Sequence, residues 1–168
     1  MMIYQLPALD DPLDQGDIID GCPILQIAGF DPKNPTSPKV ACSTHRVVTL
    51  TQTCDLATQK TQRVTVAIIH GAQFLVDQKI VKAADVRGPI RAGRVFGWYF
   101  LPRSAEFALD ESIVDLRQLY TIPVDVIQTL CSLGGRKARI QPLYREHLAR
   151  HFADTFSRIG LPEPFETE

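Results

Sequence analysis

Apolar and polar residues alternate along much of the first 125 positions, and a period of two predicts strands rather than helices. "GDIIDGCPILQIA" (16–28) reads as a strand, a break near Gly21 and Pro23, and a second strand piece. "GFDPKNPTSPK" (29–39) holds three prolines, a glycine and an asparagine, so it is a loop. "HRVVTLTQ" (45–52) and "QRVTVAII" (62–69) are rich in Val and Thr and read as central strands. Val47, Val48, Leu50, Val64, Val66 and Ile68 should divide between two sheet faces, one of them inward. The connection "TCDLATQKT" between the two strands is long enough to carry a site. Residues 71–93 mix helical spacing with β-branched runs. "RVFGWYFLP" (94–102) predicts an aromatic strand stopped by Pro102, and "ESIVDLRQLYTIP" (111–123) a strand bent near Arg117.

The period then changes. "VDVIQTLCSLGG" (124–135) reads as a short helix between Pro123 and Gly134. In "PLYREHLARHFADTFSRIG" (142–160), Tyr144, Leu148, Phe152 and Phe156 recur every four residues and form one apolar stripe. Leu148, Phe152 and Phe156 are expected to be buried. Strands followed by helices make an α+β pattern, a small antiparallel β-barrel or sheet with helices packed on one side. The chain of 168 residues is read as a single domain (1–168), with a β core over about 15–125 and a C-terminal helical segment over about 124–160.

Composition changes this picture little. Hydrophobic residues make up 45% and charged residues 22%, which suits an ordinary core. No run approaches the ~20 apolar residues that span a membrane. "MMIYQLPALDD" has neither the basic start nor the apolar run of a signal peptide, and four cysteines are too few for a disulfide scaffold. A cytoplasmic protein without a membrane partner or a cofactor is expected. Net charge is −1, but its distribution is uneven. Residues 1–20 carry Asp10, Asp11, Asp14, Asp17 and Asp20 and no Lys or Arg. Residues 136–158 carry Arg136, Lys137, Arg139, Arg145, Arg150 and Arg158 against Glu146 and Asp154. That basic stretch reads as a solvated helix face, or as a surface for phosphates, with Arg136, Lys137 and Arg139 the nucleic-acid contacts.

Candidate chemistry gathers at "HRVVTLTQTCDL" (45–56). Cys54 lies beside Asp55 where a strand ends. A thiolate nucleophile there needs a histidine, and His45 and His70 are nearest in sequence. The adjoining negative charge works against a thiolate. The favoured reading is therefore a buried Cys54 near the 16–22 strand, with Asp55 accepting backbone N–H bonds in the following turn. Cys22, Cys42, His45 and Cys54 could together ligate zinc, against the plainer reading of scattered thiols. The aromatics of 94–102 fit core better than base stacking, and His147 and His151 fit a helix surface better than a metal pair.

The order of short motifs resembles the PemK/MazF-like toxin superfamily. Gly16-Asp17-Ile18, "HRVVTLTQ" (45–52), "VTVAIIHG" (64–71) and "SIVDLRQLYTIP" (112–123) follow its strand motifs in sequence, over roughly residues 15–125. The resemblance implies a small closed antiparallel barrel, and RNA cleavage in the toxin branch. Its arginine and its Thr or Ser map onto Arg46 and His70. Val47 replaces the proline after that arginine, His70 replaces the Thr or Ser, and "TQTCDL" is absent from ordinary toxins of the family. The pattern looks like a branch carrying a [ST]-Q-[ST]-C-D-[IL] signature. In such a site His70 would take a 2′-hydroxyl proton and Arg46 would stabilise phosphorane charge. The expected function is a nucleic-acid-directed barrel acting on RNA or DNA, with Arg46, His70, Cys54 and Asp55 as its catalytic candidates. The alternatives are a protein-interaction module on the same barrel, a homodimer among its forms, and a Cys-dependent enzyme.

Overall fold

The alternating segments do form strands. They are β1 (Tyr4–Gln5), β2 (Asp17–Gly29), β3 (Lys39–Thr49), β4 (Arg63–Gly71), β5 (Trp98–Leu101), β6 (Ser112–Pro123) and β7 (Arg136–Ile140). Five α-helices accompany them among the described residues: α1 (Thr53–Ala57), α2 (Ala72–Asp77), α3 (Ala83–Asp85), α4 (Val124–Ser132) and α5 (Pro142–Phe156). A π-helical turn at Val86–Ile90 continues α3. The structure, a computed structural model, describes residues 2–58 and 60–157. Residues 158–160 of the expected last helix, Arg158 included, lie outside them.

All pairings are antiparallel, in the order β1-β7-β2-β3-β4-β6-β5. The protein is α+β with a seven-stranded sheet that ends at β1 and β5 and does not close. Valines and isoleucines of the central strands divide between the two faces as alternation requires. Val48 and Leu50 pack with Ile18, Ala67 and Ile69, whereas Val47 packs with Ile19, Val64, Val66 and Ile68. Both faces are buried at the centre. Leu148 of α5 joins the first group, and Ile127 and Cys131 of α4 join the second. Helices therefore cover both sides, not one.

Three departures from alternation shape the molecule. In β2 the pairs Ile19↔Val47 and Cys22↔His45 leave one extra residue on β2, with Gly21 at φ +74°. The expected break is thus a bulge in one continuous strand. In β6 the pairs Ala67↔Leu119 and Ile68↔Asp115 leave residues 116–118 bulged, which is the bend at Arg117. Third, β2 and β3 outrun their neighbours. β7 meets β2 only along Asp17–Ile19, and β4 meets β3 only along Val47–Thr49, so the remainder of β2 and β3 projects as a two-stranded ribbon.

Several expectations are corrected. Residues 136–140 are a strand paired to both β1 and β2, not part of a helical segment. The connection expected after residue 52 contains a short helix, Thr53–Ala57. On α5, Leu148 is buried and Tyr144 and Phe152 are half-buried, but Phe156 is 52% exposed. Its four-residue stripe drifts off the sheet because 3.6 residues make a turn. His151, expected at the surface, is buried and has a ring nitrogen 3.2 Å from the carbonyl oxygen of Val95. Among the described residues no helix is long and apolar enough to cross a membrane.

Candidate functional site

The bulge in β6 builds the most organised polar site. Asp115 lies in register with Ile68 on one side and Trp98 on the other, and it is buried. A buried carboxylate needs compensation. The bulge supplies it by turning Arg117 back onto its own strand. Arg117 donates from Nε to Oδ1 (2.9 Å) and from Nη2 to Oδ2 (2.9 Å), and its backbone N–H donates to Oδ1 (3.0 Å). The guanidinium sits 3.7 Å from the centre of the Trp98 ring, a cation–π stack. Gly97 makes room for it: a Cβ there would fall on Arg117 Cγ and 2.9 Å from Cδ. Gly97 also has φ +83°, a conformation glycine adopts without strain. Fixed at three points and half-exposed, Arg117 presents a permanent positive charge, which its hydrogen bonds to Asp115 reinforce.

His70 lies on the same face of the sheet as this pair. It shares the parity of Ile68, whose partner across the sheet is Asp115. Its ring stacks on Phe74 of α2, with centroids 6.3 Å apart and 13° between planes. Burial lowers its pKa below the ordinary 6.5. Asp115 opposes that shift, while His45 and Arg117 add to it. His70 is therefore a neutral imidazole at pH 7, able to accept a proton beside a fixed cation. His45 belongs to the same face and has Nε2 2.8 Å from the Ser43 hydroxyl. The polar strip continues through Gln26 Nε2, which donates to Tyr120 Oη (2.8 Å), and Tyr120 Oη, which donates to Gln118 Oε1 (3.2 Å).

Arg46 is on the opposite face. Val47 pairs with Ile68 and shares the His70 side, so its neighbour Arg46 points the other way. Arg46 forms a bidentate ion pair with Asp20, including Nη2 to Oδ2 at 2.9 Å, and is held charged by that bond with further help from Asp20 and Asp110. It lines an open cleft of about 450 Å³ with Asp20, Ile69, Gly71, Asp110 and Ser112. Arg46 and His70 are thus not brought together, and Arg117 is the cation on the histidine's side of the sheet.

The other candidates separate as well. Cys54 is exposed on α1, contrary to the expected burial. Its sulfur lies 3.7 Å from Gln52 Oε1 and 3.8 Å from Asp55 Oδ1, with no histidine as base. Asp55 receives the Lys60 N–H on its backbone oxygen, not on its carboxylate. The threonines of "TQTCDL" carry the structural work. Thr51 Oγ1 accepts the Thr65 N–H (2.7 Å), and the Thr53 hydroxyl donates to Asp14. Cys22 and His45 are register partners on one face, but Cys42 has the other parity and Cys54 is on α1, so the four do not converge. No metal-competent cluster of three or more His, Cys, Asp or Glu occurs among the described residues.

Arg136 and Arg139 are buried, not a phosphate surface. Arg139 Nε donates to Asp17 Oδ1 (2.6 Å) and Arg136 Nη1 to Asp17 Oδ2 (3.2 Å). Arg136 also donates to the carbonyls of Ala8 (2.8 Å) and Asp11 (2.9 Å). Lys137 donates to the Gly134 carbonyl, and Arg145 pairs with Asp14 at 2.9 Å. The acidic N-terminus neutralises the basic segment internally. No family model matches this chain, and no curated protein matches it significantly. Sequence reasoning missed Asp115, Arg117 and Gly97. Their one signal was the broken alternation at "VDLRQ", which was read as a bend and nothing more.

Proposed function

We propose that the protein acts on nucleic acid as a PemK/MazF-like ribonuclease or RNA-binding derivative, its sheet an opened form of that barrel, through the strip around His70. The reading rests on one observation above all. A neutral histidine shares a sheet face with an arginine whose charge is fixed in place by Asp115 and Trp98. In RNA cleavage, His70 accepts the proton of a 2′-hydroxyl. The freed oxygen attacks phosphorus, and the bond to the 5′-oxygen breaks as that oxygen takes a proton from water. The products are a 2′,3′-cyclic phosphate and a 5′-hydroxyl. Arg117 stabilises the charge gathered on the phosphoryl oxygens during the step. Arg46 has no part in it, being across the sheet.

The test incubates purified protein with mixed RNA. His70→Ala and Arg117→Ala should each lower cleavage by ~100-fold or more, as loss of a general base or an electrostatic stabiliser does. Arg46→Ala should leave it unchanged. If the protein binds RNA without cutting, and both variants weaken binding, the derivative reading holds. An absence of both binding and cleavage, or a loss confined to Arg46→Ala, would sink the proposal. The exposed apolar ribbon favours a second, protein-directed role.

A further inference from the structure

The ribbon formed by Cys22–Gly29 and Lys39–Arg46 leaves the sheet with an open edge. Between residues 39 and 46, β3 pairs with β2 alone; the ladder to β4 stops at Val47 although β4 runs on to Gly71. The outward backbone groups of that stretch have no backbone partner among the described residues. An unpaired row of N–H and C=O groups is a template for another strand. β3 holds no proline, whereas the other strand of the ribbon contains Pro23, which lacks a donor. Where β3 and β4 diverge, the gap is the open cleft of about 450 Å³ between Thr44–Arg46 and the Ile69, Gly71 and Ser112 wall. One face of the ribbon is apolar and bare: Leu25 is 65% exposed, Ile27 69% and Val40 58%, and Ile27 and Val40 are register partners.

We propose that the 39–46 edge of β3 is a docking site for an extended peptide segment of a partner protein, added as an antiparallel strand. Its alternate residues would be aliphatic, to pack beside Val40 and extend the apolar face that Leu25 and Ile27 continue on β2, with polar residues between them facing Ser43 and His45. Main-chain hydrogen bonds would supply affinity, and the alternating face selectivity. A second copy of this chain fits less well. Eight residues of two paired strands present about 260 Å² on one face, by strand spacing and rise, against roughly 800 Å² per partner in a stable association. Pairing two β3 edges would also bring Lys39 of each copy toward His45 and Arg46 of the other, and β3 has no acidic residue to offset them. This proposal does not rest on the His70 reading: its apolar contacts lie on the Arg46 face, and only the polar residues of the added strand turn toward the His70 side, at Ser43 and His45.

The probe is a fluorescein-labelled pool of eight-residue peptides with valine or isoleucine at alternate positions and Ser, Thr, Glu or Lys between. The control is the same pool N-methylated at alternate amides, which removes the donors. The unmethylated pool should bind at least tenfold more tightly, and amides within 39–46 should gain protection from hydrogen exchange. Val40→Asp, at an exposed position, should weaken binding at least tenfold with the melting temperature unchanged. Failure of the pool to bind, equal binding of the methylated pool, or protection elsewhere would overturn the proposal. So would a protein of doubled mass whose 39–46 amides are protected without peptide, since a second copy would then occupy the edge.

Discussion

Single side chains here gain their properties from the face on which alternation places them. Cys22 and Cys131 point into the core between the sheet and α4, and burial pushes the Cys22 thiol up to about 11 and raises that of Cys131. Cys42 and Cys54 are exposed. A thiol reagent at neutral pH should therefore titrate two cysteines in the native protein and four after unfolding. Three or more reacting natively would contradict the packing of α4. His70 is held below 6.5 by burial, so the unfolded chain takes up a proton before the folded chain does. Its contribution to stability is intact above pH 6.5. It declines as the pH falls below 6.5 and levels off once the folded histidine is also protonated. Denaturant midpoints measured across that range should slope less in His70→Asn than in the wild type. An identical slope would show that His70 titrates as a free histidine.

Elements obeyed the sequence where one period dominated and escaped it where partners decided. β3, β4, β5 and β6 are strands because Val, Ile, Thr and aromatic residues fill both faces of a central sheet. α5 starts with Pro142 at its first turn, as its sequence signals. The stripe expected on it was only half right, and the difference is measurable. Leu148→Ala removes a side chain buried against Val48 and Ile140, and should cost about 2–5 kcal/mol. Phe156→Ala, at a half-exposed ring set edge-on to Phe152, should cost only about 1 kcal/mol. Equal losses in urea denaturation would mean that the helix lies in a different register on the sheet. β7 was illegible because "RKARI" looks like an exposed basic run. Asp17 and the N-terminal carbonyls around it, more than 100 residues earlier, turn Arg136 and Arg139 inward. The site was illegible for a similar reason. Arg46 and His70 could be named from sequence, but their opposite faces follow from the Val47↔Ile68 register. Arg117 became visible only once the bulge folded it onto Asp115.

At the scale of the whole molecule, the uneven charge of the chain acts as an internal fastener. The five aspartates of residues 1–20 and the basic stretch near the C-terminus look like two separate surfaces in the sequence. In the fold they meet. Asp17 is fully buried and accepts from both Arg136 and Arg139, and Asp14 bridges to Arg139 (3.7 Å) and Arg145 (2.9 Å). The N-terminal segment, β7 and α5 are thereby tied to β2 through one network. Removing one member of a buried ion pair leaves the other charge uncompensated, and that typically costs about 3–5 kcal/mol. Asp17→Asn keeps the shape of the side chain and should incur a loss of that order. The exposed pair Arg150–Asp154, at 3.7 Å, offers the contrast, and Arg150→Ala should change stability by less than about 1 kcal/mol. Because the network joins both ends of the chain to the central strands, the loss in Asp17→Asn should be cooperative. Urea unfolding followed by Trp98 fluorescence and by far-ultraviolet circular dichroism should shift to lower midpoints together. If the dichroism transition moved while the Trp98 transition stayed, the network would be holding the chain ends alone. The central strands and the His70 strip would then fold without it.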